Sequence, residues 1–330
     1  MANVVFAASM IASLEKKLIS DEQFEQMINS GSIDDICRTV QNAGYGSDSE
    51  PFTVNNYLDI LNRREYHVFD ETLELGDDFK VLDLLYFVND YHNIKVLLKA
   101  EAMGVNRDEL LLDTGMIPAA RMAELVRDRS KAELTDNMYR AVLEGAEVMA
   151  RTQDPQWVDI VCDRCWGRDM LRVAEEYGNE FILGYVRARI DAANLKAYVR
   201  VRKLGEAWPF FSDIILHGGT VDPVIYQKAY AEDLQQFGEH FKGTLMYKAA
   251  SEGRQILDKT GRIGPFEKMC DDVMLRYAYR GRQYPFGIEH VMAYYVARHN
   301  EVANIRILMA GKLIDQKPEI IKERMRISHE

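Results

Sequence analysis

Three carboxylates stand at the same place in a recurring stretch, and they are the side chains best placed for chemistry. The stretch reads Asp90-Tyr91-His92-Asn93-Ile94-Lys95-Val96-Leu97-Leu98. It returns as Asp191-Ala192-Ala193-Asn194-Leu195-Lys196-Ala197-Tyr198-Val199 and as Glu301-Val302-Ala303-Asn304-Ile305-Arg306-Ile307-Leu308-Met309. On a helix advancing about 100° per residue, Ile94 can centre the inward face, with Tyr91, Leu97 and Leu98 beside it. The acid then falls inside that apolar face, about 40° from its centre. The Asn borders the face on one side and the base on the other, so Asp90, Asn93 and Lys95 form one set. Asp191, Asn194 and Lys196 form the second, and Glu301, Asn304 and Arg306 the third. A carboxylate in an apolar stripe needs a partner, since stranding a buried charge costs about 3–5 kcal/mol. Asn is a mediocre helix former, so its recurrence suggests hydrogen bonds to nearby backbone. The nine residues read as a structural polar network that fixes how each helix docks. The competing reading is a helical enzyme whose buried carboxylates do proton or metal work.

Other constellations are thinner. Cys162-x-x-Cys165 has the spacing of half a zinc site, but no second cysteine pair or spaced histidine pair accompanies it, so buried apolar roles are expected. His217-Gly218-Gly219 looks like part of an oxyanion loop. Without a Gly-x-Ser-x-Gly nucleophile it reads as a helix C-terminal stop. His92, His290 and His299 are not at ligand spacings. The sequence has no Gly-x-x-x-x-Gly-Lys-Ser/Thr loop, no Gly-x-Gly-x-x-Gly and no His-Glu-x-x-His. No catalytic residue, metal or cofactor is expected. Arg200-Val201-Arg202-Lys203 complements a helix C-terminus or meets a partner. The same holds for Lys312, Lys317, Lys322, Arg324 and Arg326.

The elements that position the carboxylates are helices. Val4, Ala8, Ile11, Leu14 and Leu18 recur at helical spacing, with Asn3 as the expected N-cap. Ser20-Asp21-Glu22-Gln23 has the form of a capping box. Ser32 to Val40 reads as a short helix, and residues 43–51 as a loop. Tyr57, Leu58, Leu61, Tyr66, Phe69 and Leu73 mark a helix between Val54 and Leu75. After Gly76 the first motif helix is expected to begin near Phe79. Asp154-Pro155 starts a helix, Gly178 ends it, and Phe181 to Gly205 carries the second motif. Period-two alternation is nearly absent, so the fold class is all-α.

The motifs lie 101 and 110 residues apart (191 − 90; 301 − 191), which points to a duplicated unit. Gly104 and Gly205 follow the first two motifs at one distance. Pro155 precedes Asn194, and Pro265 precedes Asn304, by the same 39 residues (194 − 155; 304 − 265). Trp157-Val158-Asp159-Ile160-Val161 matches Tyr57-Leu58-Asp59-Ile60-Leu61. Residues 109–115 align with 213–219, and Glu319 to Met325 hold that place in the third copy. We therefore divide the chain into helical repeat units 1–108, 109–212 and 213–330. Three like bundles can pack about a pseudo-three-fold axis, which implies a funnel with a central cavity.

The 330 residues carry a net charge of −11 and a pI near 5.3. Nucleic-acid binding needs a basic face, and so does attraction to an anionic membrane, so both are disfavoured. Four cysteines in so long a chain do not make a disulfide framework, and a reducing cytosol is the default. No run of about 18 apolar residues suggests a span. The N-terminal apolar stretch lacks the basic lead of a signal peptide.

The ordered set of motifs resembles a known family. Asp90-Tyr91-His92-Asn93-Ile94-Lys95 with Leu97-Leu98-Lys99-Ala100, then Asn194-Leu195-Lys196, then Tyr294-Tyr295 through Glu301-x-x-Asn304-Ile305-Arg306 to Gly311-Lys312, are similar to the C subunits of the A/V-type rotary ATPases. Their counterpart in the eukaryotic vacuolar enzyme is the d subunit. The resemblance implies a non-catalytic central-stalk rotor adaptor, cytoplasmic and peripheral to the membrane. Its partners would be the D and F shaft subunits and the membrane proteolipid rotor ring. It would couple ATP hydrolysis or synthesis to proton or sodium transport. A scaffold for some other complex is the remaining alternative.

Overall fold

A computed structural model of the chain describes residues 2–75, 77–232 and 237–329, excepting the side chains of residues 2–4, 6, 8, 72, 73 and 77. The described residues are helical and contain no strand. In chain order the α-helices are α1 (Ala2–Leu14), α2 (Asp21–Asn29), α3 (Ile33–Asn42), α4 (Tyr57–Glu74), α5 (Phe87–Met103), α6 (Ala119–Arg127), α7 (Asp136–Thr152) and α8 (Pro155–Tyr177). They continue as α9 (Glu180–Leu204), α10 (Trp208–Ile214), α11 (Pro223–Ala231), α12 (Arg254–Thr260), α13 (Ile263–Tyr279), α14 (Ile288–Leu313) and α15 (Pro318–Arg324).

Local chemistry explains most boundaries. The hydroxyl of Ser20 accepts from the Gln23 amide while the Gln23 side chain takes the Ser20 amide, so the capping box forms and α2 starts there. Ser32 caps α3. Asp154 caps α8 ahead of Pro155, where a missing N–H costs nothing. Gly178 ends α8 in the left-handed conformation at φ 71°. Three expectations shift. Helix α1 begins at Ala2, so Asn3 lies inside it rather than capping it. Residues 77–85 form 3₁₀ turns, so the first motif helix begins at Phe87 and not near Phe79. Turn residues 54–56 precede α4. The positions read for Val4, Ala8 and Leu73 fall on side chains outside the description.

The chain divides into two compact units. One comprises Met1–Phe79 with Phe237–Glu330, the other Lys80–Gln236. In the first, α14 is mostly buried, and Val302, Ile305, Leu308 and Met309 share a core with Ile36 and Val40 of α3 and Ile60 and Leu61 of α4. In the second, α5 packs on α6, α7 and α8, and α9 on α8 and α10. An aromatic cluster fixes the end of α9: Tyr198 meets Phe211, Tyr226 and Tyr230 at 5.3–5.7 Å between ring centroids. Such edge and tilted pairs add to the burial of large rings.

Candidate functional site

The three motif copies lie on α5, α9 and α14; the Asn clamp and an acid that accepts backbone amides recur at each. The acid and the Asn are buried in all copies. Each Asn binds one backbone residue at both ends of the peptide. Nδ2 of Asn93 donates to the Leu112 carbonyl at 2.8 Å while its Oδ1 accepts the Leu112 amide at 2.8 Å. Asn194 does the same to Leu216 at 2.8 and 2.8 Å, and Asn304 to Arg326 at 3.0 and 2.9 Å. An amide side chain carries one donor group and one acceptor, which is why this residue type suits a backbone clamp. The third clamped residue is Arg326, just beyond the segment Glu319 to Met325 aligned with it in sequence, because α15 occupies that segment.

The acids hold backbone amides further along. Asp90 accepts from Met116 N and Ile117 N, both at 3.0 Å. Asp191 accepts from Thr220 N at 3.0 Å, Thr220 Oγ1 at 2.5 Å and Val221 N at 3.1 Å. Glycine makes room. A Cβ on Gly115 would strike the Asp90 carboxylate, and one on Gly219 the Asp191 carboxylate. The His217-Gly218-Gly219 stretch is therefore not a helix stop. Helix α10 ends earlier, with Ile215 as its C-cap, and Gly219 serves the approach of the acid. Glu301 departs from the pattern. It accepts from Ile19 N, from Tyr45 Oη and from Arg298 Nη1, each at 2.5 Å.

The base reaches a neighbouring helix. Lys95 pairs with Asp163 of α8 at 2.5 Å, and Arg306 with Glu65 and Asn62 of α4 at 3.0 Å. Lys196 is half-buried on α9.

Burial pushes the Asp90 carboxyl up to about 7. The amides of Ile117 and Met116 oppose the rise, and the nearby Asp169 and Asp83 add to it. Burial likewise raises Asp191, against the Thr220 and Val221 donors. Burial and then the Glu301 charge lift the Tyr45 phenol well above its ordinary range. Asp169, fully buried on α8, accepts from Tyr91 Oη at 2.7 Å, Thr135 Oγ1 at 2.5 Å and Asn137 Nδ2 at 3.0 Å. Among the described residues no group of three or more His, Cys, Asp and Glu side chains could hold a metal ion. Cys162 and Cys165 are free and buried, and burial raises the Cys165 thiol to about 11. A protonated, buried thiol is inert.

The motif helices also end alike. Gly104 at φ 63°, Gly205 at φ 79° and Asp315 at φ 50° stand eleven residues after their Asn, all left-handed. Each closing turn carries the same two bonds. These are Val105 N to Ala100 O and Gly104 N to Glu101 O, Glu206 N to Val201 O and Gly205 N to Arg202 O, and Gln316 N to Gly311 O and Asp315 N to Lys312 O. That is the Schellman arrangement. The residue just before each left-handed position is large, apolar and exposed: Met103 at 57%, Leu204 at 71% and Ile314 at 67%.

Several sequence candidates have intramolecular employment. Arg202 lies in the last turn of α9 and also donates to the carbonyls of Ala229, Tyr230 and Glu232 and stacks on Tyr230, so it finishes α11 as well. Lys312 donates to Ile28 O and Ser30 O, Lys322 pairs with Glu25, and Arg326 with Asp271. His92 meets Leu110 O at 2.9 Å, and His290 faces Glu15 at 3.0 Å. Sequence reasoning missed Arg298, Tyr45 and Asp169. Only Arg298 carried a signal, since it sits one helical turn before Glu301.

A family model described as "ATP synthase (C/AC39) subunit" matches residues 7–324. The chain is 25% identical over 323 residues to the C subunit of the V-type sodium ATPase of Enterococcus hirae, covering 96% of each chain. It is 22% identical over 343 residues to the C subunit of the A-type ATP synthase of Methanocaldococcus jannaschii, covering 98% of this chain and 86% of the relative. It is 26% identical over 245 residues to the C subunit of the V-type ATP synthase of Thermus thermophilus, covering 72% and 71%.

Proposed function

The chain belongs to the ATP synthase (C/AC39) subunit family, and from that membership we propose that it is the central-stalk adaptor between a shaft and a membrane rotor. It is a non-catalytic subunit of a V/A-type rotary ATPase, and its partners are other subunits of that complex. The finer reading names them: the D and F shaft subunits on one side and the proteolipid ring on the other. The chain passes torque between them and so couples ATP turnover to proton or sodium movement. It works at the cytoplasmic face, held to the membrane through the complex. Among the described residues no helix is long and apolar enough to cross a membrane, which suits an adaptor that rests on a membrane ring.

The observation that carries this reading is the match over residues 7–324, joined to a built-in stiffness. A torque-bearing piece must resist bending, and close-packed helices do. Each motif helix is fixed to backbone at the Asn and at the acid, so it cannot slide without breaking buried hydrogen bonds. We assign the nine motif residues this structural role. We also propose the three repeat units 1–108, 109–212 and 213–330, arranged about a pseudo-three-fold axis around a cavity that receives the shaft. The recurrence of clamp, grip and helix cap at all three motifs supports a three-fold repeat of the unit. The exposure of Met103, Leu204 and Ile314 supports contacts with other subunits.

Reconstitution tests the assignment. A D–F shaft, the catalytic head and a proteolipid ring are assembled with and without this chain, and ATP-driven ion pumping is measured. Omission abolishes coupling while ATP hydrolysis by the head continues. Pumping at full coupling without the chain overturns the adaptor role.

A further inference from the structure

The acid grips share a detail that sequence order conceals. Asp90 holds Ile117, the residue directly before Pro118, the N-cap of α6. Asp191 holds Val221, directly before Asp222, the N-cap of α11. Glu301 holds Ile19, directly before Ser20, the N-cap of α2. All three held residues are buried β-branched aliphatics.

The base repeats the correspondence independently. Lys95 of α5 reaches Asp163 of α8, and Arg306 of α14 reaches Glu65 of α4. Helices α4 and α8 carry the matched stretches Tyr57 to Leu61 and Trp157 to Val161, and each is third in its run after the gripped residue. Helix α14 thus stands to α2, α3 and α4 as α5 stands to α6, α7 and α8.

The difference is covalent. After α5 and after α9 one continuous segment carries both the residue that Asn clamps and the residue that the acid holds. After α14 these fall 307 positions apart (326 − 19), at opposite ends of the chain. The two stretches touch. Ser328 Oγ donates to Asp21 at 2.5 Å, and Arg282 donates to His329 O at 2.8 Å while its Nε lies 3.4 Å from Glu15.

We infer that the third joint is made without a covalent link, and that Glu301 is its positioning residue. Residues 15–21 and 325–329 together replace the linking segment that the other two joints have in one piece. The grip is correspondingly stronger in kind. Asp90 and Asp191 hold backbone amides and, at Asp191, one hydroxyl, whereas Glu301 also carries a buried Arg298 and the Tyr45 phenol. A charged hydrogen bond is worth roughly twice a neutral one. The inference concerns this chain alone and stands whichever subunits it joins.

Amide hydrogen exchange on the full-length chain tests it. Glu301→Gln removes the charge that holds Ile19, Tyr45 and Arg298, and exchange at the Ile19 amide rises about ten-fold or more, as local opening predicts. The amides of Ile117 and Val221 stay within about two-fold of wild type, since they belong to other locally opening segments. Asp191→Asn gives the converse, accelerating Val221 and sparing Ile19. Tyr45→Phe removes one of the three donors to Glu301 and raises Ile19 exchange a few-fold; it carries the test if Glu301→Gln does not fold. Unchanged Ile19 exchange in every variant that folds, or equal acceleration at Ile19, Ile117 and Val221, overturns the inference.

Discussion

Asp90 shows how one buried carboxyl couples stability to pH. An ordinary Asp titrates near 3.8, and burial lifts this one to about 7. Above pH 4 the unfolded chain therefore releases a proton that the folded chain keeps. The folded state binds more protons, so the stability this group contributes falls as pH rises from about 4 to about 7 and is flat above that. Asp90→Asn removes the titration, so its urea midpoint loses that part of the slope over the same interval. Wild type and variant running parallel across pH 4–7 would show that the carboxyl titrates normally. The residue types of the motif were legible without coordinates, because an acid and an Asn beside an apolar stripe demand partners. The partners were not. Helical spacing says which face a side chain occupies, and nothing in it says which amide arrives there. Tyr45 was overlooked for that reason, as it lies 256 residues from Glu301.

At the level of elements, glycines with different duties should respond differently to one methyl group. Gly205 sits in open space, and its φ of 79° is its only constraint, so Gly205→Ala costs about 1 kcal/mol of left-handed strain. Gly219 faces the Asp191 carboxylate, so Gly219→Ala displaces the acid from Thr220 and Val221. Its cost is about 2–3 kcal/mol, the range for overpacking with a loosened buried hydrogen bond. Denaturant unfolding of both variants measures the difference, and equal costs would refute the distinct role of Gly219. The helices themselves were largely readable. The capping box at Ser20, Asp154 with Pro155, and the stops at Gly178 and Gly205 are local chemistry, and local chemistry is written in neighbouring residues. The 3₁₀ stretch at 77–85 was not, because Phe79, Val81, Leu82, Leu84 and Leu85 are buried at a spacing that also suits an α-helix.

For the molecule as a whole, the repeated helix ends matter most. Met103, Leu204 and Ile314 share one motif position and are all exposed, although the acidic chain has ample polar residues to place there. Replacing all three with Ser changes stability little, within about 0.5 kcal/mol per site, as for exposed positions generally. Recovery of the chain in the assembled ATPase falls, because three apolar contacts are lost together. Thermal melting and co-purification with the other subunits check both halves. Undiminished assembly would remove these positions from the contact surface.

Composition, spacing and caps determined by themselves that this chain is helical, acidic and three times repeated in its motif. Those properties depend on residues within a few turns of one another. Tertiary structure alone decided where each grip lands. It brought Glu301 to an amide 282 positions away and set the first and last stretches of the chain side by side. A hydrogen bond depends on where two atoms meet in space, and that meeting is settled by packing rather than by order along the chain.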